Sequence, residues 1–302
     1  MHDPAALAHG GGATWLTGSY DPDNDTVYWP TGNPYPDTDG TARKGDDLYT
    51  NCVLAIDRKN GTLRWHFQFT PHDLHDWDAT EPVLLVDTPF HGKMRKLLLQ
   101  ANRSGFFYVL DRTCGRFLLG KAFVKKLTWA SGIDANGRPQ LLPNNKVGAK
   151  DTVTCPAVRG ATNWYSTAFS PITGFFYVMA VEDCGSYWRT EDGGFSSVND
   201  SSVPGFKVLR AIDIQTGEIV WEVPQISGTE DNYSGVLSTG GGLLFYGETG
   251  GGFAAVDVMD GRLLWNFRTN QPWKASPMTY EVAGRQYVAI ASSSNILAFA
   301  LP

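Results

Sequence analysis

A short pattern that recurs along the chain constrains its fold most strongly. Three copies, beginning at Ala55, Ala211 and Ala255, read Ala-x-Asp, with Gly four residues and Trp eight residues after the Asp. A fourth copy, beginning at Val109, keeps the Asp and the Gly but lacks the Trp. Each copy is typical of two strands joined by a tight turn, in which Asp caps the turn, Gly takes a positive φ and Trp packs back on the sheet. Repeats of this length made of short strands predict an all-β fold, a β-propeller.

The spacing of the copies predicts how many blades the chain holds. At roughly 40 to 50 residues per blade, the sequence accounts for about five to six blades. We expect residues 1–302 to form one partial propeller domain. Two polar segments, from Gly120 to Pro156 and from Tyr187 to Gly205, interrupt the strand pattern and are expected to be long loops.

Composition argues against a nucleic-acid partner and against a membrane-spanning segment. The net charge is −6 and no basic patch dominates, which argues against a nucleic-acid partner. No apolar run is long enough for a membrane-spanning segment.

The segment Thr70-Pro-His-Asp-Leu-His-Asp-Trp-Asp78 is the strongest candidate for a site, because three carboxylates and two histidines fall within nine residues. From these residues alone, three interpretations stand. His72 and His75 could bind zinc, although their spacing does not suit one helix face. The acidic side chains and the amide oxygen of Asn33 could bind a harder cation. The segment could also be a solvated acidic loop that binds nothing.

An ordered series of motifs resembles the quinoprotein alcohol dehydrogenases, the methanol and ethanol dehydrogenase family that uses pyrroloquinoline quinone (PQQ). The motifs that carry the resemblance are Ala13-Thr-Trp-Leu-Thr-Gly-Ser-Tyr-Asp-Pro22, Thr31-Gly-Asn-Pro34, Gly45-Asp-Asp-Leu-Tyr49, Trp65-His-Phe-Gln-Phe-Thr-Pro-His-Asp73, Asp76-Trp-Asp78 and Asn295-Ile-Leu-Ala-Phe-Ala-Leu-Pro302. The three repeats that keep the Trp match the blade motif of that family. The resemblance implies an eight-bladed propeller, of which this chain is a C-terminal part.

The resemblance also implies a site. In the family a metal ion lies against the edge of PQQ, and the Asn of Thr-Gly-Asn-Pro, here Asn33, is one of its ligands. Trp15 would stack under the cofactor, and Arg103 would hydrogen-bond the quinone oxygens. Asn163, in Gly160-Ala-Thr-Asn-Trp164, would also reach PQQ. Asp76 would be both a metal ligand and the catalytic base.

The residue at position 78 indicates, through the resemblance, which kind of cation would bind. Family members that use lanthanides carry Asp two positions after the base, where calcium enzymes carry a small neutral residue. A further negative oxygen suits a trivalent hard cation. We therefore expect a lanthanide, with calcium as the alternative. At another cofactor-binding position, where many members carry a Trp, this chain has Tyr233.

The spacing of Cys155 and Cys184 by itself favours two buried thiols over a disulfide. The resemblance implies the opposite, because the family has a disulfide that begins just before the Gly-x-x-Asn-Trp segment. A disulfide fits a periplasmic protein.

The function implied is oxidation of a primary alcohol to an aldehyde by hydride transfer to PQQ, with the metal ion as Lewis acid and Asp76 as base. The expected partners are a small alcohol and a periplasmic cytochrome c as electron acceptor, and the resemblance leaves a homodimer open. A non-catalytic propeller that acts as a protein-interaction scaffold is the alternative function. Since the first half of a family member is missing, we expect these 302 residues alone to bind PQQ weakly or not at all.

Overall fold

The computed structural model describes residues 10–143, 152–191, 195–200, 202, 204–225, 234–248 and 250–301. These residues form short strands joined by turns, and they include no helix that is long and apolar enough to cross a membrane. The chain divides into two compact units. Unit 1 comprises Met1–Trp164 and Glu182–Pro204, and unit 2 comprises Tyr165–Val181 and Gly205–Pro302.

Unit 1 contains two four-stranded antiparallel sheets whose strands follow one another in chain order. Numbered along the chain, the first sheet consists of β1 (Ser19–Asp21), β2 (Thr26–Pro30), β3 (Cys52–Asp57) and β4 (Leu63–Gln68), and the second of β5 (Leu84–Phe90), β6 (Lys93–Ala101), β7 (Phe106–Asp111) and β8 (Arg116–Ala122). This order is that of propeller blades, because every hairpin joins neighbouring strands.

Unit 1 also contains two smaller sheets. One is the hairpin of β9 (Ala130–Ile133) and β10 (Pro139–Leu141), and the other pairs β11 (Val153–Thr154), β14 (Gly185–Arg189) and β15 (Phe195–Asn199) in the order β11-β14-β15. The expectation of two long loops was therefore wrong. Both polar segments form hairpins of their own, because polar strands can pair without the strong apolar alternation that identifies a half-buried strand in a sequence.

Unit 2 contains three sheets of the same up-and-down kind. Their strands are β12 (Ala168–Ser170), β13 (Phe175–Glu182), β16 (Phe206–Asp213) and β17 (Ile219–Pro224); β18 (Val236–Ser238), β19 (Leu243–Gly247), β20 (Gly252–Asp257) and β21 (Leu263–Arg268); and β22 (Met278–Val282), β23 (Arg285–Ser292) and β24 (Asn295–Phe299). Over the described ranges, five sheets thus have blade order, which agrees with the lower end of the expected count.

The repeated motif forms the turn that its sequence predicts. In all four copies the Asp carboxylate accepts a hydrogen bond from the backbone N–H two residues later, at 2.8–3.1 Å. The four repeat glycines have φ between 71° and 73°. In the three complete copies, Ala and Trp are directly paired across the hairpin, with a bulge just after them.

The repeat Trp does more than pack on its own sheet. The indole N–H of Trp65 donates to the carbonyl of Arg112, the residue that follows Asp111 in the next sheet, at 3.2 Å. Trp221 makes the same 3.2 Å bond to Val258, which follows Asp257. The motif therefore joins one blade to the turn of the next, which a single repeat in the sequence does not reveal.

Candidate active site

The loop that connects β4 to β5 carries the acidic cluster, and Asp73 organises it. One carboxylate oxygen of Asp73 accepts the backbone N–H of His75 at 2.9 Å, and the other accepts that of Trp77 at 2.8 Å. Between these two residues, Asp76 takes a φ of 58°, in the left-handed region. Left-handed backbone is uncommon outside glycine and is found at functional sites where the surroundings impose it.

His75 and Trp77 anchor this loop in the core of unit 1. Their rings stack with centroids 4.1 Å apart and planes 11° apart, and both are buried. The Trp77 indole N–H donates to the carbonyl of Ala157 at 3.0 Å, while His75 Nδ1 lies 3.4 Å from a carboxylate oxygen of Asp73. Burial raises the pKa of Asp73, but the contacts with His75 and the two backbone N–H groups outweigh it and hold that pKa below its usual value.

The histidines do not form a zinc site. His72 Nδ1 lies 3.1 Å from a carboxylate oxygen of Asp47, whereas His75 is buried in the aromatic stack. In the part of the chain that the structure describes, no group of three or more His, Cys, Asp or Glu side chains is arranged to hold a metal ion. Any cation here would therefore need other donors, such as the amide oxygen of Asn33.

Asp78 brings together the two motifs that the sequence singled out. One of its carboxylate oxygens accepts the backbone N–H of Asn33 at 2.9 Å. Gly32 allows this approach, because a Cβ at that position would overlap the same oxygen of Asp78. The backbone N–H of Ala79 also donates to the carbonyl of Thr31, at 3.3 Å. The Thr-Gly-Asn-Pro segment and the acidic loop thus lie side by side.

Arg103 forms a buried ion pair with Asp78. Its Nη1 donates to the second carboxylate oxygen of Asp78 at 2.9 Å, and its Nη2 donates to the carbonyl of Val158 at 2.8 Å. Gly160, with a φ of 80°, lies so close that a Cβ would overlap the Arg103 side chain. The 157–161 loop therefore covers Arg103 and holds the guanidinium beside the acidic cluster.

A disulfide fastens that covering loop. Cys155 and Cys184 are bonded, as the resemblance implied and against the interpretation from spacing alone. Next to the bridge, the backbone N–H of Ala157 donates to the carbonyl of Asp183 at 3.0 Å. Ala157 is also the acceptor for Trp77, so the disulfide restrains a segment in direct contact with the acidic loop.

The electrostatics at Asp76 suit a group that gains and loses a proton near neutrality. Burial raises the pKa of Asp76 to about 7; the charge of Arg103 opposes this shift, while Asp78, Asp37 and Asp73 add to it. One guanidinium against several carboxylates leaves an excess of negative charge. A bound cation would offset it, and carboxylate and amide oxygens are the donors that hard cations prefer. The residues present therefore fit a hard metal ion.

Trp15 lies at the end of a segment that joins the same site. The backbone N–H of Gly12 donates to the carbonyl of Asn33 at 2.7 Å, and that of Gly32 donates to Ala13 at 2.8 Å. Trp15 is 48% exposed. An open indole of this kind offers the flat apolar surface that a planar cofactor needs.

The structure does not place the other two cofactor-binding candidates, Asn163 and Tyr233, beside the acidic loop. Asn163 makes hydrogen bonds within its own loop: Nδ2 donates to the carbonyl of Arg159 at 3.0 Å, and Oδ1 accepts the backbone N–H of Trp164 at 2.9 Å. This is the turn-capping role that Asn often has, and contact with PQQ stays a prediction. Tyr233 lies outside the described residues.

Two acidic residues that the sequence analysis missed belong to this neighbourhood. Asp37 accepts a hydrogen bond from the side chain of Asn33 at 2.9 Å. Glu81 is 1% exposed, and within the described ranges no side chain donates a hydrogen bond to its carboxylate. Burial raises the pKa of Glu81 well above 4.5, although the charge of Arg103 opposes the shift.

Glu81→Gln is expected to change how stability depends on pH. Because folding raises the pKa of Glu81, the folded state holds this proton more tightly than the unfolded chain does, so the wild type loses stability as pH rises above the ordinary Glu value of 4.5. Gln has no charge to bury, and we expect the variant to gain about 1 to 3 kcal/mol in free energy of unfolding at about pH 8. Denaturant unfolding at about pH 5 and pH 8 measures this.

The exposed Glu281→Gln substitution on β22 is the matched control, because it removes the same charge from the surface. A Glu81→Gln variant whose stability relative to the wild type is the same at both pH values would contradict the assignment.

Comparison with known proteins identifies the family to which this fold belongs. A family model, the PQQ glucose/ethanol/alcohol dehydrogenase β-propeller domain, matches residues 2–120 and 195–288. The quinoprotein alcohol dehydrogenase PedH of Pseudomonas putida is 37% identical over 300 residues, which cover 94% of this chain and 50% of PedH. The chain spans about half the length of the curated relatives it matches.

Two solved structures that match this chain belong to an alcohol dehydrogenase and a methanol dehydrogenase as well. The quinohemoprotein alcohol dehydrogenase of Comamonas testosteroni superposes with a TM-score of 0.89 at 32% identity, over 96% of this chain and 46% of that chain. A europium-containing methanol dehydrogenase gives a TM-score of 0.85 at 32% identity, over 93% of this chain and 51% of that chain. The fold is the β-propeller of quinoprotein dehydrogenases. The chain belongs to the PQQ glucose/ethanol/alcohol dehydrogenase β-propeller family.

Proposed function

We propose that the full-length protein is a PQQ-dependent dehydrogenase that oxidises a primary alcohol to an aldehyde. The observation that carries this proposal is the arrangement around Asp76: a partly buried carboxylate with a pKa of about 7, held in a left-handed turn beside the Arg103–Asp78 ion pair. A general base must be able to gain and lose a proton near the working pH, and the raised pKa of Asp76 meets this condition.

The chain's own residues have distinct roles in this proposal. A carboxylate oxygen of Asp76 accepts the hydroxyl proton of the alcohol. Arg103 supplies fixed positive charge beside the site, which favours negative charge that develops on a neighbouring oxygen. Trp15 offers the surface on which a planar cofactor stacks. The bound cofactor supplies hydride acceptance, with a cation as Lewis acid, so the alcohol carbon loses a hydride as the hydroxyl loses its proton.

Asn33, Asp76 and Asp78 would hold the cation. We propose a lanthanide with calcium as the alternative, because Asp78 adds a negative oxygen beside Asn33. One of the structural relatives is a europium-containing methanol dehydrogenase, which supports this choice. The disulfide supports an oxidising compartment such as the periplasm, where a cytochrome c would accept the electrons.

The test is dye-linked alcohol oxidation by the full-length protein reconstituted with PQQ and either La³⁺ or Ca²⁺. We expect turnover that requires both PQQ and a cation, and that is faster with La³⁺. Full activity with Ca²⁺ that is unchanged by Asp78→Ala would contradict the lanthanide preference. If the protein neither binds PQQ nor turns over with any cation, the alternative of a non-catalytic scaffold is favoured instead.

A further inference from the structure

The backbone of Asn33 is fixed on both sides by neighbouring segments. Its N–H donates to the carboxylate of Asp78 at 2.9 Å, and its carbonyl accepts the N–H of Gly12 at 2.7 Å. These two hydrogen bonds hold the backbone of Asn33, while its side chain can still rotate. The direction in which its amide oxygen points is therefore decided by the partners of the side chain alone.

The partners of the Asn33 amide define its orientation. Nδ2 donates to Oδ1 of Asp37 at 2.9 Å and to the carbonyl of Pro34 at 3.1 Å. A carbonyl and a carboxylate accept hydrogen bonds, and an amide nitrogen has two hydrogens to give. A flipped amide would place Oδ1 against two acceptor oxygens, so this orientation is the favoured one. Within the described ranges no hydrogen bond reaches Oδ1, which remains available to a ligand.

We infer that Asp37 is a positioning residue, which holds the Asn33 amide so that Oδ1 is presented to the cation. This inference rests on the proposed function, since it assigns Asp37 to the same site. Asp37 would act through Asn33 and would not itself coordinate the ion. The arrangement is the oxygen-ligand counterpart of the hydrogen-bond partners that orient metal-binding histidines.

The test is titration of the full-length protein with Tb³⁺ alone, followed by luminescence. Loss of a partner that orients a ligand typically weakens metal binding by about 10- to 100-fold, and we expect this for Asp37→Ala. Asp37→Asn keeps an acceptor oxygen for Asn33, so its affinity should stay within roughly three-fold of the wild type. Asp23→Asn, a surface residue paired with Lys96, controls for the loss of one negative charge.

A double-mutant cycle separates positioning from a general effect of charge or folding. If Asp37 acts through Asn33, then adding Asp37→Ala to Asn33→Ala should weaken Tb³⁺ binding no further. Equal losses in Asp37→Asn and Asp37→Ala, or additive losses in the double variant, would overturn the inference. So would an Asp37→Ala variant with wild-type affinity. A wild type that binds no Tb³⁺ would contradict the proposed cation site itself, and the inference with it.

Discussion

Asp76→Asn is expected to lower kcat for alcohol oxidation by about 10²- to 10⁴-fold, the usual contribution of a general base. Asn has the same shape but accepts no proton. It also tolerates the left-handed backbone that residue 76 adopts, with a φ of 58°, so the loop should keep its conformation. We therefore expect PQQ binding to change little while turnover falls. The thermal unfolding midpoint at about pH 8 should be no lower than that of the wild type, because Asn removes a carboxylate whose burial raises its pKa to about 7.

Steady-state kinetics, PQQ absorbance and thermal unfolding of the same samples test this expectation. Asp23→Asn serves as the control for a lost surface carboxylate, because Asp23 is an exposed residue that pairs with Lys96 and lies outside the acidic loop. A kcat within about ten-fold of the wild type would remove Asp76 as the base. Loss of PQQ binding in Asp76→Asn would instead indicate that this carboxylate holds the cation and cofactor more than it moves protons.

The fold was predictable from the sequence where its causes are local. The repeat turn depends on Asp57 and Gly61 within one hairpin, and its spacing alone predicted both the Asp cap and the positive φ. The bond from Trp65 to the carbonyl of Arg112 could not be predicted in this way, since it joins residues 47 apart in the sequence. The polar hairpin of β9 and β10 was missed because its strands lack apolar alternation.

The site was predictable only in part. The resemblance indicated the chemistry of Asn33 and Asp78, but not that the backbone N–H of one donates to the carboxylate of the other. Glu81 and Asp37 carry no local signal, because burial of a lone carboxylate depends on what packs over it. The one available hint was the position of Glu81 directly before the apolar run Pro82-Val-Leu-Leu85.

Asp73→Ala is expected to damage both stability and catalysis. The substitution leaves the N–H groups of His75 and Trp77 without their acceptor and removes the carboxylate 3.4 Å from the buried imidazole of His75. Losing one partner of a buried, hydrogen-bonded charge costs about 3 to 5 kcal/mol in free energy of unfolding. Because Asp73 also imposes the turn at Asp76, we expect kcat per folded molecule to fall as well, by about 100-fold for a misplaced base.

Asp21→Ala separates these two effects. Asp21 is also buried, accepts a backbone N–H two residues later at 3.0 Å and pairs with Arg112 at 2.8 Å, but these contacts lie outside the acidic loop. It should lose comparable stability and keep its kcat per folded molecule. Asp73→Ala should differ from Asp21→Ala in kcat alone. Both values are measured at a temperature where both variants are folded. If both variants retain the same kcat, Asp73 merely stabilises the fold, and the left-handed turn at Asp76 holds without its carboxylate.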